Sequence, residues 1–281
     1  MQLSDEAIGR SIAPAGASTG SGEAMERRDG GEAFGGLDVT EAVNNVSCEI
    51  ADSLKGHDAF DQASIDQTMI ELDGTSDRSR LGGNALVATS MAVAHAAAAS
   101  AGLPLWQFLG GNLKTYKMPL PEVQVFGGGA HAGRRVDVQD FMVIAVGAKC
   151  YEQSLEWTAE VYHRTGKIIA DGERLGGGTD EGGFWTRFDS NEEALDFLMR
   201  AIEGAGFTPG EEIAISLDIA ATDFGRGGQY KLAADNRVVD SDGLSELLLS
   251  WLDKYPIVSI EDPLGEDDAD AMARFTGAAG P

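Results

Sequence analysis

Tyr255-Pro256-Ile257-Val258-Ser259-Ile260-Glu261-Asp262-Pro263 is a short apolar run that closes on two acids and a proline. Its β-branched cluster, Ile257, Val258 and Ile260, predicts a strand buried on both faces, and Pro263, with no N–H to give a ladder, ends it. The acids therefore fall at the strand's C-terminal end. Ile213-Ala214-Ile215-Ser216-Leu217-Asp218 repeats the arrangement, an apolar run finishing on an acid. Two such strands would bring carboxylates to one rim, and one or two carboxylates plus substrate oxygens are a common way to hold Mg²⁺. In a βα-barrel the C-terminal rim is where chemistry is done. Either acid taken alone fits equally well as the cap of a following helix.

The 281 residues, with 43% hydrophobic content, are enough for one barrel or two ordinary domains with a buried core. The formal net charge is -25, from 46 acidic against 21 basic residues, so the surface as a whole repels nucleic acid, and no nucleic-acid partner is expected. The acids are scattered, as in Asp58, Asp61, Asp66, Glu71, Asp73 and Asp77, and Arg is used more often than Lys. That pattern predicts a halophilic surface adapted to high salt, where screening relieves self-repulsion; a merely soluble acidic protein has the same composition. Cys48 and Cys150 have no metal-binding spacing and are expected to be reduced core thiols. The N-terminus has neither a basic start nor an apolar core, and the alanine-rich stretch 85–101 is interrupted by Thr89, Ser90, His95 and Ser100. Neither a secretory signal nor a membrane span is expected, which predicts a cytoplasmic protein.

Residues 11–36 are rich in Gly, Ala and Ser around Ala13-Pro14-Ala15-Gly16-Ala17-Ser18-Thr19-Gly20. This is a loop by composition, either a lid carrying the Ser18 and Thr19 hydroxyls or a plain surface linker. Residues 37–72 carry apolar side chains at helical spacing, among them Val39, Val43, Val46, Ile50 and Leu54. Asn84 is placed to cap a helix over 85–100 that stops at Gly102, with Pro104 beyond. Leu105-Trp106-Gln107-Phe108-Leu109-Gly110-Gly111 reads as a hinge, and a domain boundary is expected near residue 115. Beyond it, strands are predicted over 122–126, 140–146, 213–219 and 257–261, with a short strand end at 179–181. Helices are predicted over 151–175, 191–204 and 244–254. That alternation is the beginning of a barrel, and five strands do not close an eight-stranded one.

Three further stretches can carry chemistry. Gly127-Gly128-Gly129-Ala130-His131-Ala132-Gly133 follows the first strand of this region and lacks the helix start of a dinucleotide loop. Its glycines let backbone approach a ligand and leave His131 accessible, though a lone loop histidine is more often structural or idle. Gln139-Asp140 ends that loop and starts a strand. Gly176-Gly177-Gly178-Thr179-Asp180-Glu181-Gly182-Gly183-Phe184 sets an acid pair between glycines, which exposes Glu181 to a substrate or simply makes a tight solvated turn.

Taken together these stretches resemble enolase along nearly all 281 residues. Residues 14–20 look like the family's mobile loop, usually PSGASTG, and Leu81-Gly82-Gly83-Asn84-Ala85 resembles its LGANA helix start. Gly128-Gly129-Ala130-His131-Ala132-Gly133, Gln139-Asp140-Phe141-Met142, Asp180-Glu181-Gly182-Gly183-Phe184, Leu217-Asp218-Ile219-Ala220 and Ser259-Ile260-Glu261-Asp262-Pro263 are similar to its barrel motifs, in order. The resemblance implies an α/β enolase-like fold: an N-terminal α+β capping domain over 1–115 and an incomplete βα (TIM-type) barrel over 116–281. It implies Mg²⁺-dependent dehydration of 2-phosphoglycerate to phosphoenolpyruvate in glycolysis and gluconeogenesis, and a homodimer at full family length. By the same resemblance Asp218 and Glu261 bind a first Mg²⁺ and Ser18 closes onto a second. His131, Gln139 and Glu261 meet substrate, and Glu181, with Asp140 beside it, helps the C3 hydroxyl leave.

Position 140 is Asp where the family has Glu, a carboxylate one methylene short of its partner. Ala15 and Gly127 also depart from the family's serine and asparagine. The family's GDD metal ligand, lysine base, second active-site lysine and HRSGE segment have no counterpart here, nor do its first strands, so the chain is expected to be truncated at both ends and inactive alone. Two other readings keep the same motifs: a noncatalytic enolase-like protein that binds metal or a partner, and another superfamily member acting on a different carboxylate.

Overall fold

The computed structural model describes residues 1–16, 19–129, 132–134, 136–172, 176–179 and 181–280. The chain divides into two compact units, Met1–Tyr116 and Lys117–Pro281.

The first unit is helical. Helix α1 (Thr40–Asn45) runs through one π-turn (Val46–Ile50) into α2 (Ala51–Leu54), and α3 (Gln62–Asp73), α4 (Gly83–Ser100) and α5 (Leu105–Gly110) follow. Ile50, Leu54, Ile65, Met69, Leu81, Leu86 and Val93 form its core, so the helical spacing over 37–72 holds for Ile50, Leu54, Ile65 and Met69, whereas Val43 is exposed. Asp61 caps α3 by accepting from the Ser64 N–H at 3.1 Å. Asn84 does not cap α4. The helix starts at Gly83, two residues before the expected start, and the Asn84 side chain instead clasps the backbone of Arg27, accepting from its N–H at 3.0 Å and donating to its carbonyl at 3.1 Å. Gly9 lies so close to α4 that an added Cβ would meet the Ala92 carbonyl at 2.0 Å, which is why a small residue stands there. Cys48 and Cys150 are both free and exposed, against the expectation of core thiols. The helix turns that carry them present other residues, Ile50 and Ser154, to the interior.

The second unit is built on a six-stranded mixed sheet. Its strands are β1 (Val123–Gly127), β2 (Asp140–Ile144), β3 (Gly177–Gly178), β4 (Phe184–Trp185), β5 (Ala214–Asp218) and β9 (Ile257–Glu261), in the order β3-β4-β1-β2-β5-β9. Strands β1 and β4 are parallel, as are β5 and β9, while β2 runs antiparallel to both β1 and β5. Helices α6 (Tyr151–Asp171), α7 (Asn191–Gly204) and α8 (Ser241–Lys254) supply the crossovers, and α9 (Ala269–Ala279) follows β9. Ser190 caps α7 through the Glu193 N–H at 3.0 Å, and Asp240 caps α8 through the Gly243 N–H at 2.9 Å, starting it three residues before the first apolar position, Leu244. Val125, Phe126, Phe141, Val143, Leu195, Leu198, Ile215, Leu217, Leu248 and Trp251 form the shared core, with Phe126 and Phe141 stacked at 4.8 Å between centroids.

Three sequence expectations are corrected. Of the strand end expected over 179–181, Thr179 and Glu181 lie instead in the turn between β3 and β4, where Gly177 and Gly178 carry the pairing, and Asp180 lies outside the described residues. A meander of β6 (Gly225–Arg226), β7 (Gln229–Leu232) and β8 (Arg237–Asp240) was not expected at all, its strands being short and polar. Its first turn uses Gly227 and Gly228 at φ +58° and +72°, the two-residue Gly-Gly hairpin signal. Finally, β9 is not buried on both faces: Val258 is 57% exposed, because among the described residues the strand pairs only with β5.

Candidate active site on the carboxylate rim

The reversed direction of β2 builds the site. Its first residue, Asp140, pairs with Gly127 at the last position of β1 and with Asp218 at the last position of β5, and Asp218 in turn pairs with Glu261 at the last position of β9. A strand start and two strand ends thus put three carboxylates in one rank. Asp140 is buried, at 3% exposure, whereas Glu261 is exposed at the sheet edge.

Two amide side chains stitch this rank together. Gln139 Nε2 donates to Asp218 Oδ2 at 2.9 Å and lies 3.4 Å from Asp140 Oδ2. Gln124 Nε2 donates to Asp140 Oδ1 and, at 3.1 Å, to Glu181 Oε2. The Glu181 carboxylate, though far along the chain, is therefore tied to the rank through Gln124. The Gln124 carbonyl accepts from the Thr179 hydroxyl and from the Gly183 N–H at 2.8 Å. A Cβ at Gly183 would fall 2.4 Å from Gln124 Oε1, so this glycine is required for the approach.

The electrostatics follow from the crowding of like charges. Asp218's carboxyl is pushed up to about 7, first by burial and then by the charges of Glu261 and Asp140, against a counteracting bond from the Ala220 N–H at 2.9 Å. Glu261 is raised as well, by burial and by Asp262, Glu122 and Asp140. Among the described residues no Lys, Arg or His pairs with Asp218 or Glu261. Two neighbouring all-oxygen donors that repel one another suit a hard cation. No group of three or more His, Cys, Asp or Glu side chains able to hold a metal occurs among the described residues.

Of the residues singled out in the sequence, Asp140, Gln139, Glu181, Asp218 and Glu261 converge here. Gln139 is 6% exposed with its amide on Asp218, which makes it a support for that carboxylate more than a surface for substrate. Ser18 and His131 lie outside the described residues. The Asp218 side chain caps no helix; its bond to Ala220 closes a turn just ahead of a 3₁₀ segment, Ala221–Asp223. Sequence reading passed over Gln124 and Glu122, the latter accepting from the Ser216 hydroxyl at 2.9 Å. Gln124 lies inside β1 and Glu122 just ahead of it, and their polarity in an apolar run marks them out without saying which distant groups they meet.

No helix among the described residues is long and apolar enough to cross a membrane. The chain matches the enolase N-terminal domain over residues 1–109 and the enolase C-terminal TIM barrel domain over residues 115–281. With both halves matched and the rim carboxylates assembled as described, this chain belongs to the enolase family, lyases built from an N-terminal domain and a C-terminal TIM barrel domain.

Proposed function

We propose that the rim serves Mg²⁺-dependent dehydration of 2-phosphoglycerate to phosphoenolpyruvate. The observation that carries this is the rank Asp140–Asp218–Glu261 with Glu181 bonded into it through Gln124. Asp218 and Glu261 would hold the metal, and Gln139 keeps Asp218 turned toward it. Bound there, Mg²⁺ would neutralise the negative charge that grows on the substrate carboxylate when a base takes the C2 proton, a role assigned to none of the described residues. Glu181 gives a proton to the departing C3 hydroxyl, so that water and not hydroxide leaves, with Asp140 beside it. Ser18 and His131 are assigned to the second metal and to substrate by their motifs alone.

The C2 base is not Lys254. That residue ends α8, ahead of β9, at the end of the strand opposite Glu261, and its ammonium is engaged by Glu192 at 3.1 Å. This placement favours a second reading, in which these residues bind metal and substrate without turning them over. The test is phosphoenolpyruvate formation in molar KCl with Mg²⁺, on the 281-residue chain and on the chain joined to further βα units of the family barrel. The expected result is Mg²⁺-dependent binding of 2-phosphoglycerate by both and turnover by the longer form, lowered about 10² to 10⁴-fold by Glu181→Gln. Binding without turnover in the longer form would leave the second reading; no binding at all would overturn both.

A further inference from the structure

Gln124 itself has no part in the proposed proton transfers, yet its side chain makes four hydrogen bonds at the site. It is buried, at 8% exposure, and all four of its bonding positions are used. Its orientation is fixed. The Gly183 N–H can only donate, so the carbonyl oxygen must face it, and the NH₂ must then face the two carboxylates. Both carboxylate oxygens it touches are accordingly acceptors.

Asp140 is a short acid at the first position of β2, and a glutamine on the neighbouring strand β1 reaches across the strand pair to meet it. We propose that Gln124 is the positioning residue of this site, and that its length is matched to the short Asp140. The pair acts as one unit that fixes where Asp140 and Glu181 stand against the C3 hydroxyl. Lengthening the acid alone drives it into an amide already in close contact, and the amide must leave Thr179, Gly183 or Glu181. Shortening the amide alone withdraws it from both carboxylates. Making both changes together returns the reach between positions 124 and 140 to its original value and removes the collision, while the bond to Glu181 stays lost.

This rests on the proposed dehydration only for the assignment of Glu181 and Asp140 to the C3 hydroxyl; the pairing itself does not depend on it. The experiment is a double-mutant cycle of Gln124→Asn and Asp140→Glu with two readouts. On the form that turns over, each single change is expected to lower kcat by about 10²-fold with KM little moved, since a misplacement of about 1 Å has that cost. The double change should recover at least about tenfold over either single one, a non-additivity that independent sites do not show. In the 281-residue chain, selective ¹⁵N-glutamine labelling follows the Gln124 carboxamide. Its protons should exchange with water far more slowly than those of exposed Gln107, with protection lost in the Asp140→Glu variant and regained in the double. If the parent makes no phosphoenolpyruvate, the reading of the reaction fails and the exchange measurement decides the pairing. Additive losses in kcat with no regained protection, or a Gln124 amide that exchanges like Gln107, would overturn the proposal.

Discussion

Asp218 and Glu261 are register partners at the ends of parallel strands β5 and β9, and no basic side chain among the described residues stands between them. A sheet that aligns two carboxylates in this way incurs a free-energy cost that a bound cation would relieve. Burial compounds it at Asp218, which is why its carboxyl is pushed furthest.

A weak divalent-cation site is therefore expected at this pair. Calorimetric titration of the 281-residue chain should show Mg²⁺ binding that Asp218→Ala and Glu261→Ala each remove. Variants that bind as well as the parent would mean the two carboxylates do not share an ion.

The same pair sets a pH dependence in metal-free protein. Asp218's carboxyl stands at about 7 against an ordinary 3.8, so the folded chain binds this proton more tightly than the unfolded one. Its contribution to stability is full below the unfolded value and is lost as pH rises through about 7. Asp218→Asn should then stabilise the chain at pH 8, by about 1–2 kcal/mol once solvent screening of a partly exposed group is allowed for. The gain should vanish toward pH 4. Urea unfolding in a chelator at both pH values checks it; equal effects at the two would contradict the linkage.

Much of this rim was legible in the sequence, and the reasons are local. An apolar run ending in Asp218 or Glu261 announces both a strand and the end that carries the acid, and Asp180-Glu181 between glycines announces an exposed turn. What could not be read was pairing. Nothing in residues 140–144 says that β2 runs antiparallel to its neighbours, and only that reversal brings the start of a strand, Asp140, level with the ends of β5 and β9. Gln124 was missed for the same reason, since its four partners lie between 16 and 59 residues away. The burial of β9 was misjudged because β-branched composition does not distinguish a central strand from the edge position this one holds.

Asn191 offers a test of the scaffold apart from the rim. It is fully buried at the first turn of α7, donates to Asp137 at 2.9 Å and Asp235 at 3.0 Å, and accepts from the Asp137 N–H at 3.1 Å. Asp137 in turn holds the Ala233 and Ala234 N–H groups at 2.8 and 3.1 Å, so one amide ties the β1–β2 loop and the β7–β8 turn to a helix start. Asn191→Ala leaves two carboxylates facing each other without that donor. A loss of about 2–4 kcal/mol is expected from bonds to charged groups in a buried setting. Denaturant unfolding should show it as a lower midpoint, and a loss under half a kcal/mol would mean water replaces the amide without cost.

Salt should govern the stability of the whole chain. A formal net charge of -25 opposes compaction, and the ion pairs present, such as Arg27–Glu41, Arg80–Glu49 and Arg274–Asp242, are exposed and add little. The excess carboxylates are spread over both units, so repulsion acts over distances comparable with the screening length of about 10 Å at 0.1 M salt. At molar KCl that length falls to about 3 Å, which leaves only neighbouring charges to interact. The rim pair, being partly buried, is screened less and still calls for its cation. Thermal unfolding across a KCl series should therefore show a midpoint that climbs into the molar range, each kcal/mol of relieved repulsion raising it by about 2–4 °C. Added Mg²⁺ should raise it further in the parent and not in Asp218→Ala. A midpoint indifferent to KCl would show that the acidic surface is no adaptation to salt.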